Sequence, residues 1–193
     1  FNGQGSLTTH NSSYVGGFKN GRREGEGTLK EGSMSYRGEF HDDEFSGLGH
    51  LELDDGSQYE GQFANGKPNG EGKRSDSTGN EFSGHFVNGQ LEGNGTFNSA
   101  DGDQYAGGFK NNQLNGKGRY ENADGDVWIG DFKDGALTGK GELIGVDGSH
   151  YRGQFSEWRF NGPGHLSMTD GSTYIGDFAA DTYQGNGTLT ASD

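Results

Sequence analysis

The chain has 193 residues, a net charge of -14, 40 glycines and only 26% hydrophobic residues. That apolar share is roughly half the globular norm and excludes a conventional two-layer core. The aromatic content of 12% argues against disorder, and the 2 prolines argue against collagen. With no cysteine, disulfides, thiol catalysis and Cys-based metal sites are excluded, and no apolar run approaches the ~20 residues of a membrane-spanning helix. The acidic balance disfavours nucleic acid and anionic membranes as generic partners.

Phe1, Gly3, Gly5 and Leu7 read as the tail of a truncated repeat, so the chain is expected to be a fragment of a longer protein. Full repeats then begin at Tyr14, Tyr36, Tyr59, Phe82, Tyr105, Trp128, Tyr151 and Tyr174, the first interval being 22 residues and the next six 23. The expected organisation is one array over 1–193, with a half repeat over 1–13. Two residues after each start stands Gly, as in Gly16 and Gly176, and four residues after stands Phe, as in Phe18 and Phe178. Glycines follow at eleven and thirteen, as in Gly25 and Gly27, and an apolar residue at fifteen, with Arg74 the exception. A period of two places each triplet on one face of a strand.

Asn20-Gly21, Asn65-Gly66, Asn88-Gly89 and Asp134-Gly135 lie between the two triplets and predict two-residue hairpin turns. Such a turn sets Phe18 opposite residue 23, Gly16 opposite Gly25 and Tyr14 opposite Gly27. Asp55-Gly56, Asp101-Gly102, Asp124-Gly125, Asp147-Gly148 and Asp170-Gly171 predict three-residue loops ending in a left-handed glycine. Those loops set Leu51 opposite Tyr59 and Gly49 opposite Gly61. The expected fold is all-β: an elongated single-layer antiparallel meander of consecutive β-hairpins, some seventeen strands, rod-like or gently curved. Glycines at two, eleven and thirteen are expected to leave flat backbone on which aromatic rings lie.

The pattern Tyr-x-Gly-x-Phe-x-x-Gly-x-x-x-Gly-x-Gly-x-Leu, as in Tyr14 to Leu29, resembles the MORN (membrane occupation and recognition nexus) repeat. Asp43, Asn112, Trp158 and Asp181 depart from it at the second turn position, and Arg74 departs at the apolar one. The resemblance implies a hairpin meander with a groove along its aromatic face. MORN repeats occur in cytoskeletal scaffolds of parasitic protists, in junctophilins, in plant phosphoinositide kinases and beside a lysine methyltransferase domain. The uninterrupted repeats here look most like the protist scaffolds.

No catalytic constellation, metal site or cofactor motif is read from the sequence. The six histidines lack metal-ligand spacing, and no Gly-x-Ser-x-Gly elbow occurs. Asp101-Gly102-Asp103 and Asp124-Gly125-Asp126 lack an EF-hand continuation and read as turns. The expected function is a non-catalytic scaffold and protein-interaction module, cytoplasmic and cytoskeleton-associated. Its expected partners are a second copy of itself and other cytoskeletal or scaffold proteins.

Three sets of candidate site residues follow. Tyr59, Phe63, Phe82, Phe86, Tyr105, Phe109, Trp128 and Phe132 are candidates for a partner-binding groove. Trp158, expected to be exposed at its turn, belongs with Phe160, Tyr174, Tyr183 and Leu189 to a C-terminal aromatic group. That group either covers the end of the array or forms a homodimer interface. Lys19, Arg22, Arg23, Lys30 and Arg37 give residues 1–37 a charge of +2 (five bases, three acids) against -16 for the rest. This patch is either local variation or the headgroup contact of an alternative function, phosphoinositide or acidic-phospholipid binding. At about 1 kcal/mol per basic residue, membrane contact is expected to be weak or absent.

Overall fold

The computed structural model describes residues 1–192, so Asp193, the last residue of the expected array, lies outside the described residues. Seventeen strands form one open antiparallel sheet that meanders in chain order, as expected. Two compact units divide the chain after Glu92. The first contains β1 (Gly3–Thr8), β2 (Ser12–Lys19), β3 (Arg22–Glu31), β4 (Met34–His41), β5 (Glu44–Glu52), β6 (Gln58–Ala64), β7 (Lys67–Ser75), β8 (Glu81–Val87) and the start of β9 (Gln90–Asn98). The second continues through β10 (Gln104–Lys110), β11 (Gln113–Glu121), β12 (Val127–Lys133), β13 (Ala136–Ile144), β14 (His150–Ser156), β15 (Arg159–Ser167), β16 (Thr173–Ala179) and β17 (Thr182–Thr190).

The tight turns are left-handed at both residues, with φ of 52° and 83° at Asn20-Gly21 and 51° and 73° at Asn65-Gly66. Asn, Asp and Gly tolerate this conformation, which matches the right-handed twist of the strands they join. The wide loops follow expectation too. The Gly56 N–H donates to the Leu53 carbonyl at 2.9 Å, and Leu51 stands opposite Tyr59 and Gly49 opposite Gly61. The first interval is one residue short because the Gly32-Ser33 connection has only two residues between the paired Glu31 and Met34.

Within each hairpin the register departs from expectation. Phe18 does face Arg23, but Gly16 faces Gly27 and Tyr14 faces Leu29. Between these pairs β3 sets Glu24, Gly25 and Glu26 against Gly17 alone. The glycine at this place is left-handed in every repeat, from Gly25 (φ 74°) to Gly185 (φ 62°). It makes a bulge, not a ring seat. The tyrosine explains the bulge. The Tyr14 hydroxyl donates to the Gly17 carbonyl at 2.9 Å, an acceptor the bulge takes out of the ladder. The same bond recurs from Tyr36 to Glu39, Tyr59 to Gln62, Tyr105 to Gly108 and Tyr151 to Gln154 at 2.9–3.0 Å.

The core is the row of rings itself. Tyr14, Tyr36, Tyr59, Tyr105, Tyr151 and Tyr174 are buried over the glycines at two and thirteen. Each ring of the first unit meets the Phe of its own repeat and that of the next nearly edge-on. Tyr36 contacts Phe40 at 5.1 Å and Phe63 at 5.2 Å between centroids. A stacking partner fills the remaining side, Phe45 on Tyr36 at 3.8 Å and Phe160 on Tyr151 at 3.7 Å. Rings seated on bare backbone bury large areas without a second sheet, which is how so few aliphatic residues suffice.

Candidate functional site

The expected groove rings are mostly the protein's own core. Tyr59, Phe63, Phe86, Tyr105, Phe109 and Phe132 are buried. Phe82 and Trp128 remain partly exposed. Burial pushes the hydroxyls of Tyr36, Tyr59, Tyr105 and Tyr151 up to about 12. Six rings of the eight therefore present little surface to a partner.

Trp158 is not the exposed turn residue the spacing suggested. It is partly buried and left-handed (φ 72°), a conformation that strains a bulky side chain by about 1–2 kcal/mol. Its backbone N–H donates to the Leu137 carbonyl at 3.0 Å, as the second turn residue does elsewhere. Its ring turns back toward the preceding repeats, 4.9 Å from Tyr120, 5.9 Å from Trp128 and 5.5 Å from Phe132. Trp128, unlike the tyrosines, is not seated on its glycine pair, and the Leu137 methyls approach Gly130 and Gly141 instead. The aromatic group expected in the last two repeats is thus divided. Trp158 joins β11 and β12, Phe160 stacks on Tyr151, and Tyr183 stacks on Tyr174 at 3.9 Å.

Tyr120 and Asp103 escaped the sequence reading. The Tyr120 hydroxyl donates to the Asp103 carboxylate at 2.6 Å, and burial together with that carboxylate raises the phenol above its usual range. The available signal was a tyrosine in a row otherwise rich in leucine, directly opposite the one tryptophan among the repeat starts.

At the C-terminal end every residue of β17 is exposed, including Tyr183 (48%) and Leu189 (61%), whereas Tyr174 is buried. The basic residues of the first unit do not converge. Arg22 pairs with Asp42 at 3.3 Å near a turn. Arg23 bonds Asp43 at 3.3 Å and lies over the Phe40 ring at 5.2 Å, filling the place where Phe45, Phe160 and Tyr183 stack in other repeats. Lys19 stands beside the turn, Lys30 opposite Ser35 and Arg37 opposite His50. On the face away from the rings each unit has a shallow concavity. One of about 430 Å³ is lined in part by Arg37, Leu48 and His50, the other of about 630 Å³ by Lys117, Lys140 and Arg152.

Four wide loops share a carboxylate device. Asp55, Asp76, Asp147 and Asp170 accept hydrogen bonds from the hydroxyl or N–H two residues on. The Thr78 hydroxyl, with Asn80, holds Asp76 down to about 2. Histidines pair with surface carboxylates, His41 with Glu24 at 3.4 Å and Asp42 at 3.9 Å, His85 with Glu71 at 3.1 Å and His150 with Glu142 at 3.2 Å. Among the described residues no group of three or more His, Asp or Glu could hold a metal ion, and no helix is long and apolar enough to cross a membrane.

No curated protein matches the chain. Among solved structures it is similar to the TCP domain of SAS-4 (dCPAP) from Drosophila melanogaster, with 16% identity, a TM-score of 0.45 and coverage of 89% of this chain and 88% of that one. It is also similar to the TCP10 domain of CPAP from Danio rerio, with 14% identity, a TM-score of 0.43 and coverage of 91% and 89%. The MORN repeat profile matches residues 14–30, 36–58, 59–81, 82–104, 105–127, 128–150 and 174–193, leaving out the repeat that carries Trp158. With most of its length matched in register, the chain belongs to the MORN repeat family.

Proposed function

We propose that the chain is a non-catalytic scaffold that binds proteins and associates with itself through its last hairpin, in the cytoplasm as part of a cytoskeletal assembly. One observation carries the non-catalytic reading. Displaced pKa values mark candidate active sites, and here most recur at equivalent places: the tyrosine position at Tyr36, Tyr59, Tyr105 and Tyr151, and the wide loops at Asp55, Asp147 and Asp170. A shift that recurs at equivalent places in several repeats is architectural. Membership of the MORN family supports the protein-binding reading, and the cytoskeletal assignment rests on the resemblance, read from the sequence, of the uninterrupted array to protist scaffolds.

Self-association centres on Tyr183 and Leu189, which stand exposed on a strand paired on one side only among the described residues. Edge strands of this kind are templates for further pairing. Sedimentation equilibrium tests the reading. The native chain is expected at twice its 20.6 kDa mass and the Tyr183→Ser/Leu189→Ser variant at that mass. A native chain that stays monomeric at high concentration refutes self-association. Flotation with phosphoinositide vesicles tests the alternative lipid function. The scattered and partly neutralised bases favour no flotation at physiological salt. Robust flotation there would overturn the scaffold reading.

A further inference from the structure

The rings of Tyr120, Trp128 and Trp158 meet pairwise at 4.9–6.0 Å with interplanar angles of 64–89°. All three are partly exposed on the aromatic face of the second unit. Such centroid spacings leave no room for a ligand between the rings, so only their outer surfaces are open. Neither indole N–H donates to an acceptor among the described residues, and neither is buried without one. The Asp103 carboxylate borders the cluster through its bond to Tyr120, and Glu157 precedes Trp158 on the turn. No cation pairs with either carboxylate among the described residues.

The first unit shows what this face accepts. There the guanidinium of Arg23 lies over Tyr14 at 5.8 Å and Phe40 at 5.2 Å, while bonding the turn residue Asp43. Arg74 lies over Phe82 at 4.8 Å. In the second unit Leu137 and Trp158 occupy the places of Arg23 and Asp43, and among the described residues no guanidinium covers the Tyr120, Trp128 or Trp158 ring. Rings and carboxylates of the kind that hold Arg23 are thus present at this cluster, at other positions of the repeat, without an arginine. The chain's charge of -14 favours a cationic partner.

We propose that the Tyr120–Trp128–Trp158 surface is a docking site for an extended protein segment carrying arginine. The guanidinium lies on an indole face near Asp103 and Glu157, and the indole N–H groups donate to backbone carbonyls of the segment. This rests on the reading of the chain as a protein-binding scaffold and names its partner chemistry.

The chain has 2 tryptophans, both in the site, so intrinsic fluorescence reports binding directly. The probe is a synthetic Gly/Ser octapeptide with two arginines, compared with its citrulline counterpart, which keeps the shape and loses the charge. Saturable emission change is expected with the arginine peptide, and binding about ten-fold weaker with citrulline and at high salt. Trp158→Asn keeps a residue that suits the left-handed turn, and Trp128→Tyr restores the repeat's usual residue. Both are expected to melt as cooperatively as the native chain and to lose binding. Equal response to both peptides, no response, or unchanged binding by Trp158→Asn overturns the proposal. So does a Trp158→Asn variant that binds peptide normally but halves the particle mass, since the cluster is then a contact between copies. Loss of mass in Tyr183→Ser/Leu189→Ser with peptide binding retained separates the two surfaces and supports both readings.

Discussion

The seating of tyrosine on glycine is the step on which this core depends, and Gly164→Ala tests it. Gly164 lies between Gly153 and Gly176 in the sheet, and a Cβ there would collide with the Tyr151 ring, including its Cζ at 2.6 Å. Gly164 is not left-handed, so alanine suits the backbone and the effect is steric alone. Tyr151 is fully buried, stacked on Phe160 and bonded to the Gln154 carbonyl. Overpacking costs about 1–3 kcal/mol, and losing the hydroxyl's bond adds about 1 kcal/mol. The sum, about 2–4 kcal/mol, corresponds to a fall in Tm of about 5–15 °C for a domain this size. Gly148→Asn is the control, because Gly148 is left-handed (φ 91°) with nothing near its absent Cβ. Near-UV circular dichroism on heating reads both variants. Equal melting of Gly164→Ala and Gly148→Asn would refute the argument that glycine is required there as a ring seat.

Tyr151→Phe keeps the ring but strands the Gln154 carbonyl, and urea unfolding should show a loss of about 1–2 kcal/mol. Alkali should also unfold the chain. The tyrosine pKa values are raised to about 12 against ~10 when unfolded, so their contribution is complete below pH ~10 and is lost as pH rises toward 12. A Tm that stays flat over that range would contradict this. Acid acts through the loops. Asp76 is lowered to about 2, so its contribution holds above pH ~4 and disappears as pH falls toward 2. Asp76→Asn should flatten that part of the acid limb in a pH series of melts.

The turns and the connections between repeats were legible because they rest on local chemistry. Asn65-Gly66 announces its own φ values, and the wide loop before Ser57 fixes Leu51 against Tyr59 by counting alone. The hairpin register was not, because Gly25 and Gly27 look alike in a period of two. Only the need of the Tyr14 hydroxyl for the Gly17 carbonyl tells the bulge from the seat. Trp158 failed for another reason. Its place in the turn was plain, but a left-handed residue directs its side chain differently from its neighbours, so spacing did not reveal that it meets Tyr120. The groove candidates share the aromatic face, and what spacing could not show is that rings such as Phe63 and Phe86 are buried against Tyr59.

Consecutive hairpins are tied at three levels, and this bears on how damage spreads. The turn amide of Asp43 donates to the Arg23 carbonyl at 3.1 Å, Phe40 packs on Tyr14 at 5.0 Å, and the Ser33 hydroxyl donates to Asp54 at 2.7 Å. Each of these three ties joins one repeat to the next, which is the condition for stability that adds through neighbours, whereas the contact of Trp158 with Tyr120 in the second unit skips a repeat. Phe40→Ala removes a ring buried against Tyr14, Tyr36 and Phe45, and also the surface beneath Arg23. The cost is about 3–5 kcal/mol. In native-state hydrogen exchange, protection should fall most at the amides of Arg23 and Asp43 and less at Gly89, two turns further on. Equal loss at all three would show that the first unit unfolds as one block, and that its ties transmit more than nearest-neighbour coupling.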